Sequence, residues 1–184
     1  MLIAREKNRG YYKIKGAACA FNFDFRDKVV LDIGSSTGGF TEYALDYGAK
    51  KVIAVEKGTN QMRTPLRHDP RVDLHEKTDI FNFDLDQSID VVVADVSFLS
   101  LKDVLNYAKS LKKASFLVMF KPQFEAEPTQ LHHGVVKNET IRREIIKKFE
   151  YWLKKNGFLI IKKRDNELKG KTGNRERFYW LTFG

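Results

Sequence analysis

The stretch VVLDIGSSTGGF at 29–40 constrains this chain more than any other. An apolar run, Val29 to Ile33, breaks into a loop carrying Gly34, Gly38 and Gly39, and a helical pattern begins near Phe40. Strand, glycine turn and helix in that order make a nucleotide cradle. Glycine lets the backbone turn sharply and approach a ligand without a Cβ clash, and the helix N-terminus behind it offers free N–H groups.

The pattern that follows alternates. The spacing of Phe40, Tyr43, Ala44 and Tyr47 predicts a helix closed by Tyr47-Gly48, and KVIAV, Lys51 to Val55, predicts a second strand ending on Glu56. An acid about 20 residues past the first glycine, at the tip of the second strand, is placed to accept hydrogen bonds from ribose hydroxyls. A short helix or turn over Asn60 to Arg67, halted near Asp69-Pro70, leads to a strand around Val72 to His75 and a loop with Asp79. Asp79 is placed to meet an adenine amino group, although Asp84 and Asp86 stand nearby and all three suit a solvated loop.

Ile89 to Ala94 is a continuous apolar run rich in β-branched residues, the mark of a strand buried on both faces, and it ends at Asp95. Leu101, Val104, Leu105, Ala108 and Leu111 draw one helix stripe, and the strand Ser115 to Phe120 delivers Lys121 and Pro122 at its end. After a loop come a helix with Ile141, Ile145, Ile146, Phe149, Trp152 and Leu153 inward, closed by Asn156-Gly157, and two strands, Phe158 to Ile161 and Phe178 to Phe183. Strands alternating with helices predict an α/β fold: a mostly parallel seven-stranded sheet, helices on both faces and an antiparallel hairpin at the edge. One domain over 1–184 is expected, with a basic N-terminal segment, 1–28, packed on it through a short helix at AACAFNF.

Charge narrows the partner. Thirty-three Lys plus Arg against 24 Asp plus Glu give a net +9, which favours polyanions and nucleic acid first. Arg5, Arg9 and Lys15 around Tyr11 and Tyr12 suit an RNA backbone and base stacking, and a solvated leader equally. The basic face Arg142, Arg143, Lys147 and Lys148, with Lys162 to Arg164, Lys169, Lys171 and Arg175, offers a second phosphate grip or a solvated surface. Cys19 is the single cysteine, so no disulfide framework or cysteine zinc site is available, and adjacent His132 and His133 are poorly spaced for one metal. No apolar run reaches the roughly 20 residues of a membrane span and the N-terminus lacks a signal-peptide core, so a soluble cytoplasmic protein without metal or membrane partner is expected.

In the turn DxGxxxGG, Ser36 stands where a dinucleotide fingerprint has its second glycine, the one that admits a pyrophosphate. A cofactor without phosphates fits better. S-adenosylmethionine has ribose and adenine, and Asp32 just before the loop could meet its ammonium. Ligands of open α/β sheets lie outside the carboxyl ends of the strands, so Asp95 and Lys121 should converge near the methyl group. Ser35 and Ser36 have no triad context, which disfavours a hydrolase.

NRGYYKI at 8–14, VVLDIGSSTGGFT at 29–41, VIAVEKGTNQM at 52–62, VVVADVSFLSL at 91–101, FKPQFEA at 120–126, GVV at 134–136 and GNRERFYW at 173–180 together resemble the TlyA-type ribosomal RNA methyltransferases. These are often called hemolysins and belong to the FtsJ-like ribose 2′-O-methyltransferases. The resemblance implies a Rossmann-like class I S-adenosylmethionine-dependent fold and a Lys, Asp, Lys, Glu tetrad carried onto Lys13, Asp95, Lys121 and Glu176. Arg177 departs from the apolar residue usual after that glutamate. It implies S-adenosylmethionine at Gly34, Ser35, Ser36, Gly38, Gly39 and Phe40, with Asp32, Glu56, Asp79 and Asp95 around it. The implied substrate is ribosomal RNA or ribosomal subunits, at a cytidine. TlyA-type proteins usually begin with a small S4-like RNA-binding domain and this sequence begins at the methyltransferase, so a piece of a longer protein and RNA binding by the catalytic domain alone are both open.

A ribose 2′-hydroxyl must lose its proton as it attacks the methyl carbon. Lys121 could accept that proton if burial beside a second cation such as Lys13 lowered its pKa, with Asp95 and Glu176 orienting the two amines. The alternatives are a hemolysin-like membrane-active protein and a non-catalytic RNA-binding module.

Overall fold

The computed structural model describes residues 6–168, 170 and 172–184. In chain order the regular elements are α1 (Arg9–Phe21), β1 (Val29–Ile33), α2 (Gly39–Asp46), β2 (Lys51–Val55), α3 (Thr64–Arg67), β3 (Val72–His75), β4 (Val91–Ala94), α4 (Leu101–Ala108), β5 (Ser115–Phe120), α5 (Glu139–Lys155), β6 (Phe158–Asp165) and β7 (Arg177–Phe183). They build one seven-stranded sheet in the order β3-β2-β1-β4-β5-β7-β6. Five strands run parallel, and β7 lies antiparallel between β5 and β6, so the expected edge hairpin is present with its second strand on the inside.

Period-2 alternation sorts each buried strand between two cores. Leu31, Ile33, Val92, Ala94, Phe116 and Val118 face α4 and α5. Val30, Val52, Val91, Val93, Leu117 and Met119 face α1 and α2. Where the strand order reverses, between β1 and β4, the carboxyl ends of neighbouring strands feed loops in opposite directions and leave a crevice. Gly34 and Asp95 stand at its two lips.

Several elements differ from expectation. α1 starts at Arg9 rather than at AACAFNF, because Asn8 caps it and Tyr11, Ile14, Ala17, Ala18 and Phe21 form one buried stripe; the cations beside them obscured that stripe. α3 is a single turn with Pro65 near its start. β4 is shorter than Ile89 to Ala94, since the Asp90 carboxylate accepts the Val29 N–H at 2.8 Å and bends the entry. β6 runs on to Asp165, where Asp165 pairs with Arg177.

Candidate active site

The loop after β1 is shaped by left-handed residues, Gly34 at φ 78°, Ser36 at φ 46° and Gly38 at φ 86°. Its first amides turn back to β2, with Gly34 N donating to Val55 O at 2.9 Å. Its next amide, Ser36 N, donates to Glu56 Oε2 at 2.9 Å, while Gly58 N donates to Oε1 at 2.7 Å. Two backbone donors thus hold the Glu56 carboxylate at the strand tip that the sequence singled out. Asp79 pairs with Lys57 at 3.0 Å and caps Phe81 N, and the Lys57 hydrogen bond holds its carboxyl below the usual range. Glu56, Asp79, Gly34, Ser36 and Asp95 all line a cavity of about 500 Å³.

A second cavity, about 560 Å³, opens beside it and shares Gly34, Ser36 and Asp95. Lys13, Asp95, Lys121 and Glu176 all line it, with Ser35 and Phe40. Lys13 Nζ donates to Glu176 Oε2 at 2.6 Å, both side chains being buried. Lys121 Nζ stands 2.6 Å from Asp95 Oδ1 as an ion pair without hydrogen-bond alignment, and donates to Ser97 Oγ at 2.9 Å. Three of these charges are buried and Asp95 is partly so; burying charge is costly unless it is paired, and two cations against two acids meet that condition. Amines and carboxylates meeting on one cavity wall are the groups that general acid–base chemistry uses.

The four residues arrive by separate routes. Lys13 comes from α1, Asp95 and Lys121 from the ends of β4 and β5, and Glu176 from the approach to β7. The Glu176 loop is held by Asn174, which donates to Gly134 O at 2.9 Å and accepts from Val136 N at 3.1 Å, so the GVV and GNRER segments are one structural unit. Glu125 fixes the other side: its Oε1 accepts from Ser100 Oγ and Leu101 N, both at 2.8 Å, tying the loop after β5 to the cap of α4.

Some expected site residues sit elsewhere. Asp32 is fully buried beside α2 and lines neither cavity; its Oδ2 takes the Thr41 hydroxyl at 2.6 Å and its Oδ1 has no hydrogen-bond partner. Burial pushes its carboxyl up to about 7, against the Thr41 hydrogen bond. Gly38 also lines neither cavity, because it makes room for α3: a Cβ there would lie 2.5 Å from Leu66 Cδ1. Gly39 lines the larger one but is needed for packing as well. Its missing Cβ would lie 2.7 Å from Tyr11 N, and closer still to Asn8 Oδ1.

Among the cations, Arg9 is exposed and lines the larger cavity, and Lys15 is exposed on α1. Arg142 is a correction. It is buried, with ion pairs to Asp165 at 2.8 Å and Glu139 at 3.2 Å and a bond to Arg175 O, so it holds β6 and the Glu176 loop and cannot reach a phosphate. Arg143 and Arg175 are exposed, each near Glu139. Arg5, Lys169 and Lys171 lie outside the described residues. Lys162 and Arg164 donate to Phe21 O and Gly16 O and fasten α1 to β6. Among the described residues, no group of three or more His, Cys, Asp or Glu is placed to hold a metal ion.

Sequence reasoning missed Asn8, Ser97, Phe98, Gln123 and Phe124 on the cavity wall. Phe98 had a signal: an aromatic residue in the loop directly after a buried strand. It is 89% exposed at φ 63°, its ring 5.3 Å from that of Phe124, and it lines both cavities.

Residues 7–183 match the family model described as FtsJ-like methyltransferase. The 23S rRNA (cytidine-2′-O)-methyltransferase TlyA of Campylobacter jejuni is 34% identical over 175 residues, which make up 94% of this chain and 69% of that protein. The 16S/23S rRNA (cytidine-2′-O)-methyltransferase TlyA of Mycobacterium tuberculosis is 36% identical over 180 residues, covering 95% of this chain and 67% of the relative. A hemolysin-labelled structure from Lactococcus lactis superposes with a TM-score of 0.91 at 32% identity, over 97% of this chain and 89% of its own.

Proposed function

Because this chain belongs to the FtsJ-like methyltransferases, and within them to the TlyA family, we propose that it methylates the ribose 2′-hydroxyl of a cytidine in ribosomal RNA, using S-adenosylmethionine. The observation that carries this reading is the meeting of Lys13, Asp95, Lys121 and Glu176 on one cavity that shares its wall with the glycine loop. We read the 184 residues as one catalytic domain, since one sheet and its two cores extend across the described residues.

The residues present fit the co-substrate. Glu56, oriented by two amides, is a ready acceptor for ribose hydroxyls, and Asp79 on the same cavity is an acceptor for an amino group. The Ser35 hydroxyl is buried in the loop without a partner, as expected of a group that a polar ligand satisfies. When bound, S-adenosylmethionine supplies an electrophilic methyl group. The chain's own part is to hold the hydroxyl and take its proton. Lys121 Nζ, aimed by Asp95 and Ser97, is the proton acceptor, and it must enter the step as the neutral amine. Lys13, held by Glu176, supplies positive charge against the oxygen. Holding hydroxyl and methyl in line contributes much of the acceleration.

The hemolysin label of the Lactococcus structure suggests a membrane-active protein, but here the apolar faces of α1, α2, α4 and α5 cover the sheet. No helix among the described residues is long and apolar enough to cross a membrane. The test is calorimetric titration with S-adenosylmethionine, followed by tritium transfer to ribosomal subunits and mapping of the label to ribose or base. Lys121→Ala should bind the co-substrate normally and lose transfer by at least about a hundredfold. Equal transfer by the variant would remove Lys121 from the reaction, and label on the base would replace the hydroxyl as acceptor. A protein that takes up no S-adenosylmethionine would instead favour a non-catalytic RNA-binding module.

A further inference from the structure

Lys13 enters the site on a helix whose start touches the glycine loop, and one side chain makes the connection. Asn8 Oδ1 accepts from Tyr11 N at 2.9 Å as the cap of α1, while Asn8 Nδ2 donates to Thr37 Oγ1 at 2.9 Å, inside the glycine loop. The backbones abut at the same point. A Cβ on Gly39 would lie 2.9 Å from Gly10 C, and one on Gly10 would lie 3.5 Å from Gly39 Cα. Asn8, Gly10, Thr37 and Gly39 all line the cavity that holds the four charged residues.

We propose that Asn8 is a positioning residue that couples filling of the glycine loop to the placement of Lys13 for methyl transfer. The inference rests on the methyltransferase reading and adds a dependence between two parts of its site. A cap alone needs only the acceptor Oδ1; the bond to Thr37 uses the donor Nδ2, which contributes nothing to the helix. Lys13 is one turn along α1 from Arg9, so any shift or tilt of the helix start moves its ammonium relative to Asp95 and Lys121. The other side-chain hydrogen bonds of this helix run to other elements. Lys162 grips its far end and Arg164 its middle, Lys7 reaches Glu42 and Asp46 on α2, and Tyr11 reaches Asp46. Asn8 alone among these side chains bonds to the loop itself.

The two functions of the side chain separate by substitution. Asn8→Asp keeps the capping oxygen and removes the donor, Thr37→Val removes the acceptor, and Asn8→Ala removes both cap and tie. For Asn8→Asp and Thr37→Val the expected result is a melting temperature close to wild type, a transfer rate at saturating RNA lowered ten- to a hundredfold, and a double variant no worse than either single one. Backbone amides of α1 near Tyr11 should exchange more slowly in wild type when S-adenosylmethionine is added, and the variants should lose this protection. Asn8→Asp with wild-type transfer and wild-type protection would overturn the coupling while leaving the enzyme reading intact. So would additive losses in the double variant. A wild-type protein that takes up no S-adenosylmethionine would overturn both.

Discussion

At the residue scale, two side chains make the clearest claims. Asp32, expected at a ligand, is fully buried beside α2, and burial pushes its carboxyl up to about 7. A folded pKa above the ordinary value of about 4 means that the folded protein keeps a proton which the unfolded chain sheds between about pH 4 and 7. Stability should therefore fall as pH rises through that window and level off above it. Asp32→Asn, which keeps the acceptor for Thr41, should abolish the decline and leave the variant more stable at pH 8, by up to about 4 kcal/mol. Urea unfolding at pH 5 and pH 8 checks this; an unchanged slope would mean that Asp32 is ionised in the fold. Phe98 makes the opposite claim. A large ring, almost wholly exposed, in a left-handed backbone and at the mouth of both cavities suits a base swung against the site. Stacking of one base is worth about 1–3 kcal/mol, so Phe98→Ala should raise KM for RNA about 5- to 150-fold without changing affinity for S-adenosylmethionine. An unchanged KM would remove Phe98 from substrate binding.

At the element scale, the site depends on loops being tied to helices. Glu125 joins the loop after β5 to the cap of α4, Asn174 joins the Glu176 loop to residues 134–136, and Arg142 on α5 joins that loop to β6. Arg142 belongs here because its charge is buried and shared between Asp165 and Glu139. Removing one partner of a buried ion pair costs roughly 3–5 kcal/mol, and less where the other partner is partly solvated, as Asp165 is. Arg142→Ala should therefore lower stability by about 2–3 kcal/mol, seen as a lower melting temperature, with RNA affinity of the folded fraction unchanged. A loss of RNA affinity without a loss of stability would restore Arg142 as a phosphate contact. Arg142 lies on the buried stripe of α5, three and four residues before Ile145 and Ile146, but its charge makes it read, in sequence, like its exposed neighbour Arg143.

At the scale of the whole molecule, an excess of basic residues is partly internal wiring. Lys162 and Arg164 hold α1 to β6, and Lys13 and Lys121 are consumed by the site, while Arg9, Lys15, Arg143, Lys147, Lys148 and Arg175 are among the exposed cations that remain for an RNA backbone. The alternation of strands and helices, the glycine turn and the acids and lysine at strand ends were all legible from the amino-acid sequence, because hydrophobic period and turn chemistry act over a few residues. β1, α2, β2, β3 and β5 follow from that local pattern with matching bounds, and with them the positions of Gly34, Glu56, Asp95 and Lys121. What no local pattern contains is partnership across the chain. Lys13 and Glu176 are 163 residues apart and meet only because α1 docks on α2 through Gly39 while β7 inserts between β5 and β6. For the same reason Asp32 and Arg142 are buried rather than offered to ligands. Whether a charged side chain faces a ligand, solvent or a buried partner is settled by which elements pack over it, and that is a property of the assembled fold.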